Sequence, residues 1–144
     1  MLARCWLAGC ATVPGGEPTL DAALKMFASP PPERAGVYVV RSSEAAPAVL
    51  VDVDVDGVPL GRLGPRSYLY REVTPGRHTV TAHAGSSATS AFDVDTGALV
   101  FVRQEMTWGF WQAGVRLRLV GEEEGRRCST AGSPRSWCCG RRST

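Results

Sequence analysis

The sequence predicts an all-β fold: a small antiparallel β-sandwich of about 7–8 strands, preceded by a short N-terminal helix. Two patterns lead to it. Apolar and polar residues alternate with a period of two through most of the stretch from Gly36 to Val120, as half-buried strands require. Turn signals break the same stretch at short intervals, at Asp56-Gly57, Gly64-Pro65, Pro75-Gly76 and Thr96-Gly97, as in sandwiches and partly open barrels. The 144 residues suit a single domain, and the strand-bearing part is long enough for a modest core.

The first ten residues read as a shortened lipoprotein-type signal. Leu7-Ala8-Gly9-Cys10 has the form of a lipobox, in which small residues fit a peptidase cleft and the Cys10 thiol accepts a lipid. Upstream stand only Met1 to Trp6 with one basic residue, Arg4, whereas a secretory signal carries roughly 7–15 apolar residues after its charged start. No other stretch reaches about 18 apolar residues, so no membrane-spanning helix is expected.

Residues 11–35 read as a linker and a short helix. Pro14, Gly15, Gly16 and Pro18 make a tether. Thr19 can cap a helix in which Leu20, Leu24 and Phe27 recur at helical spacing. Pro30-Pro31-Pro32 ends it, because proline lacks a donor and clashes with the preceding turn.

The sandwich is expected over residues 36–122. Val37, Val39 and Arg41 oppose Tyr38 and Val40 in the first strand. In the second, Val51, Val53 and Val55 share one face while Asp52, Asp54 and Asp56 share the other. Asp56-Gly57 tolerates the positive φ of a type I′ hairpin turn, and Pro59 suggests that the returning strand, Val58 to Leu63, lies at an edge. Ser67 to Val73 makes a fourth strand, and Pro75-Gly76 fits the centre of a type II turn. His78, Val80 and Ala82 then alternate with Thr79, Thr81 and His83, before a small-residue loop at 84–90. Phe92 and Val94, Leu99 to Glu105, and Val115 to Leu119 supply the remaining strands. Residues 123–144, rich in Arg, Ser, Gly and Cys without periodicity, read as a disordered basic tail.

Charge and cysteine usage exclude several functions. The net charge is +2, with Arg126, Arg127, Arg135, Arg141 and Arg142 gathered near the end, so no basic stripe offers nucleic acid a face. The five cysteines are Cys5, Cys10, Cys128, Cys138 and Cys139. None falls within the strands, and no CxxC spacing completes a zinc set.

Candidate sites are few. Asp52 to Gly57 imitates the start of a calcium-binding loop, but the twelfth position falls on Leu63 and no helices flank it. His78 and His83 point to opposite faces and cannot clamp one metal. The serines fall in loops or the tail, and no nucleophile-elbow pattern occurs. No catalytic residue, metal or cofactor is expected. Trp108, Phe110 and Trp111 form the one local excess of large apolar groups between strands. At a hairpin tip they contact a partner or a membrane interface, or else they fold back to plug the open end of the sandwich.

Taken in order, Leu7-Ala8-Gly9-Cys10, Lys25, Pro30-Pro31-Pro32, Ala35 to Val39, Val55-Asp56-Gly57, Gly61, Tyr68, Pro75 to Val80 and Val102 to Glu105 form a pattern. It resembles a family of bacterial lipoproteins known as domain of unknown function 2846. The Val-Asp-Gly and Pro-Gly-x-His elements are also similar to the PEGA type of envelope sandwich. The resemblance implies an envelope protein with a prealbumin-like or carboxypeptidase-regulatory-like fold, and brings no catalytic residues with it.

The expected function is therefore noncatalytic. A domain anchored to the membrane through Cys10 binds or scaffolds another component of the bacterial envelope, a protein or a glycan, on an outer membrane facing the periplasm. The alternative is a soluble carbohydrate- or peptide-binding module that uses Trp108, Phe110 and Trp111 as its platform.

Overall fold

Rows of valine decide the architecture. A computed structural model describes residues 18–130 of the chain. Eight strands run in order: β1 (Ala35–Arg41), β2 (Val51–Val55), β3 (Val58–Leu63), β4 (Ser67–Val73), β5 (Gly76–Ala84), β6 (Ser86–Val94), β7 (Leu99–Trp108) and β8 (Ala113–Val120). They form two four-stranded sheets, ordered β4-β1-β7-β8 and β3-β2-β5-β6. Between them lie Val37 and Val39 of β1, Val51, Val53 and Val55 of β2, Val80 and Ala82 of β5, and Val102 of β7. Burying one such side chain is worth about 1.5–3 kcal/mol, so the inward rows hold the sheets face to face.

The hairpin signals land where turn chemistry puts them. Asp56 and Gly57 both take positive φ, 52° and 78°, as the turn between β2 and β3 requires. Proline 59 does sit on an edge strand, since β3 ends its sheet. Gly85, at φ 66°, reverses the chain between β5 and β6.

Four expectations need correction. The sheets are not wholly antiparallel: β1 runs parallel to β7, from Gly36 opposite Leu99 to Val40 opposite Arg103. The chain leaves β1 for the other sheet, returns antiparallel as β4, crosses again through β5 and β6, and enters β7 in the direction of β1. The expected loop at 84–90 is strand on both sides of Gly85. Its small side chains let β8 approach, for a Cβ at Gly114 would lie 2.9 Å from Ser86 Oγ.

The outer face of β1 is not wet; all seven of its residues are buried. A second apolar cluster of Phe27, Tyr38, Val40, Tyr68 and Phe101 covers it. Tyr38 stacks on Phe101 with centroids 5.0 Å apart, and its hydroxyl donates to the Leu24 carbonyl at 2.8 Å. Leu24 belongs to helix α1 (Pro18–Lys25). The side chains of Thr19 and Leu20, expected to cap and seat that helix, lie outside the described residues.

Finally, the segment read as a tail begins with a helix, α2 (Glu122–Thr130). Glu122, Glu123 and Glu124 occupy its first turn, where carboxylates favour the positive end of the helix dipole. Glu124 accepts from Arg103 of β7 at 2.9 Å, and Arg126 lies over the Phe27 ring. Residues 131–144 fall outside the described set.

Candidate functional site

The two ends of the sandwich differ. Because β1 runs with β7, Arg41 sits at the same end as the β7–β8 hairpin. Its fully buried guanidinium donates to the carbonyls of Ala45 at 2.5 Å, Val49 at 2.6 Å and Ala46 at 3.0 Å. That arginine pins the β1–β2 loop to the end of β1. An arginine fits because its planar fork satisfies several carbonyls at once.

The aromatic side chains do not fold back as a plug. Trp108 is 71% exposed, Phe110 99% and Trp111 94%. The turn that carries them is closed by the Gly109 N–H donating to the Gln112 carbonyl at 3.1 Å. Its stem is fastened to the β5–β6 hairpin: Gln112 Nε2 donates to the Gly85 carbonyl at 3.1 Å, and the Val115 N–H to Ser86 Oγ at 3.1 Å. A Cβ at Gly85 would lie 2.5 Å from the Ala113 carbonyl oxygen, so only glycine lets the two hairpins meet so closely. The aromatic tip is thus presented on a braced stalk. Phe110 and Trp111 lie 6.4 Å apart and tilted by 47°.

Each aspartate of the acidic run has its own hydrogen-bonding partner. Asp52 accepts from Arg62 Nε at 2.8 Å, and Asp54 faces His83 Nε2 at 3.0 Å. Asp56 leaves the row, because its positive φ belongs to the turn; it faces His78 Nδ1 at 2.5 Å and accepts from the Thr79 N–H at 2.9 Å. The three carboxylates therefore diverge. Among the described residues, no group of three or more His, Cys, Asp or Glu gathers to hold a metal ion. The histidines take opposite faces as expected: His78 packs toward Phe92, and His83 stands on the outer face with Asp54.

One arrangement escaped the sequence reading. Ser87 Oγ lies 2.9 Å from His83 Nδ1, so Ser87, His83 and Asp54 form a hydrogen-bonded chain. The serine was assigned to a loop and is instead in β6. The signal for it was symmetry, since His83 and Ser87 are equidistant from Gly85 and must pair if that glycine turns the hairpin. The order of groups resembles that of a serine nucleophile and its base. Its setting differs from that of a buried nucleophile, because the three lie on the outer face of a sheet with His83 45% exposed.

The lipidation candidate Cys10 lies outside the described residues. Among them, no helix is long and apolar enough to cross a membrane.

Comparison with known proteins adds kinship. An uncharacterized protein of Haemophilus influenzae is 29% identical over 122 residues, covering 84% of this chain and 73% of its own length. The sequence profile of a family described as "Protein of unknown function (DUF2846)" matches residues 31–115, from the approach to β1 into β8. This supports the first of the two likenesses drawn from the motifs and not the PEGA-type one. By that match over more than half of its length, the chain belongs to the DUF2846 family.

Proposed function

We propose that the chain is a noncatalytic, lipid-anchored domain of the bacterial cell envelope, with Cys10 as anchor and the β7–β8 tip as its contact surface. On this reading it is an outer-membrane lipoprotein that faces the periplasm and binds or scaffolds another envelope component. The observation that carries the reading is the braced tip: two tryptophans and a phenylalanine held in solvent on a hairpin that is bonded to its neighbour. Keeping large apolar groups in water has a cost, and such groups on a fixed scaffold are characteristic of contact sites. The alternative, a soluble glycan- or peptide-binding module, has less support, since the tilt between Phe110 and Trp111 gives no flat platform for a sugar ring.

Two measurements test the proposal. Cells producing the full-length chain and fed a fatty-acid analogue should label it, and Cys10→Ser should abolish the label. An unlabelled full-length product would reject the anchor. A serine-directed fluorophosphonate should leave Ser87 unmodified; stoichiometric labelling there would reject the noncatalytic reading.

A further inference from the structure

The end of the sandwich that carries the tip is unusual in charge. The ten residues from Met106 to Val115 include no ionisable side chain, and neither do those from Ala84 to Phe92. These are the two hairpins that Gln112 and Ser86 tie together. Leu50, at the start of β2 on this same end, is also 41% exposed. The nearest charges on the adjoining loops, Glu44 and Arg66, face one another at 3.1 Å. The strand groups nearest this end have partners of their own: His83 bonds Ser87 and Asp54, and Asp52 takes Arg62. Down the stem of the tip, Glu105 and Arg118 pair with each other, and Arg118 also with Glu124 of α2.

We infer that the envelope component taken by the tip is the lipid bilayer itself, with Trp108, Phe110 and Trp111 seated among the headgroups. This rests on the reading of the tip as the contact surface. Shape argues for a soft partner. The tip is a protrusion rather than a groove, so it needs a medium that opens around it, and its rings are not coplanar. Chemistry argues for an interface rather than a dry core. Tryptophan combines a large apolar body with one polar N–H and concentrates where hydrocarbon meets water. Charge argues for lipid over a charged protein surface. Two segments without ionisable groups have no charge to desolvate when they are drawn toward low dielectric, whereas a single unpaired charge there would oppose it.

The absence of charge also fixes how the domain binds. Attraction comes from apolar burial rather than from counter-charge, so it does not require anionic lipid and is not screened by salt. A lipid on Cys10 and the tip then act as two weak attachments to one surface. Two such attachments hold far better than either alone.

The experiment uses the full-length chain with Cys10→Ser, so that no acyl chain contributes. Trp6→Phe and Trp137→Phe leave Trp108 and Trp111 as the emitting residues. With phosphatidylcholine vesicles, their emission should shift to the blue and be quenched by brominated lipid. Adding about 0.5 M salt should change the partition coefficient less than about twofold. Replacing Trp108, Phe110 and Trp111 together by serine should lower that coefficient about tenfold or more, with the unfolding midpoint unchanged. Emission that stays unshifted with vesicles, while the serine variant loses retention on peptidoglycan or on outer-membrane proteins, overturns the lipid partner and leaves the contact surface standing. A serine variant that still binds both vesicles and envelope fractions overturns the two together.

Discussion

His78 is held between two acceptors, with Nδ1 2.5 Å from an Asp56 carboxylate oxygen and Nε2 2.6 Å from the Thr74 carbonyl. Neither partner can donate, so both ring nitrogens must, and only the imidazolium has two N–H groups. Burial opposes the charge on His78. The Asp56 hydrogen bond, the Thr74 carbonyl and the charge of Asp56 together outweigh it and raise His78 above its ordinary value. Burial likewise pushes Asp56 up, but His78 and the Thr79 amide hold it below the usual carboxylate range.

The pH dependence follows from those directions. A raised histidine stabilises fully below its unfolded value of about 6.5 and loses that as pH climbs through the raised folded value. A lowered aspartate stabilises above its unfolded value of about 3.9 and loses that as pH falls through the depressed folded value. The pair should therefore contribute most at about pH 5–6, and denaturant midpoints should fall on either side. His78→Gln should flatten the alkaline limb. Asp56→Asn is the cleaner partner variant, because asparagine tolerates the positive φ of the turn.

Gly125 of α2 lies so close to β7 that a Cβ there would fall 2.1 Å from Phe101 Cγ. Gly125→Ala should unseat α2 and cost about 1–3 kcal/mol by overpacking. Gly121, where nothing lies within 4 Å, is the control: Gly121→Ala should stay within about 0.5 kcal/mol in urea unfolding.

Removing the Arg41 guanidinium strips donors from the Ala45, Ala46 and Val49 carbonyls. Arg41→Met should destabilise by about 2–4 kcal/mol, because part-buried acceptors are left unpaired. Arg41→Lys should restore less than half of that, since an ammonium lacks the fork. Hydrogen exchange of the β1–β2 loop amides should quicken in both.

Serine at Trp108, Phe110 and Trp111 should leave stability within about 0.5 kcal/mol, as befits exposed positions. Phe101→Ala, in the cluster beneath the helices, should cost about 3–5 kcal/mol. Equal losses at the two places would show that the tip is part of the core.

The strands were legible wherever one face is wet. Val51, Val53 and Val55 against Asp52 and Asp54 left no ambiguity about β2, and Asp56-Gly57 fixed the register of its hairpin. β1 was half legible: setting Tyr38 and Val40 on the face opposite Val37 and Val39 was correct, yet the apolar run from Ala35 to Val40 is itself the mark of a strand covered on both sides. Helix α2 left no such trace. It docks through Gly125, Cys128 and Ser129 rather than a row of leucines, so no apolar period exists to find. The tip residues were picked out by composition, but no local pattern announced their exposure or the bonds from Arg41 to the β1–β2 loop.

The parallel pairing of β1 with β7 has a consequence for synthesis. The first strand to emerge finds its second neighbour only about sixty residues later, and contacts of such separation form late. Until β7 arrives, β4 alone can pair with β1, leaving its other edge unsatisfied and Tyr38 without Phe101 to stack on. A chain of this design should therefore travel in a chaperone's grip until β7 has been made, and a chain cut before Leu99 should aggregate rather than fold.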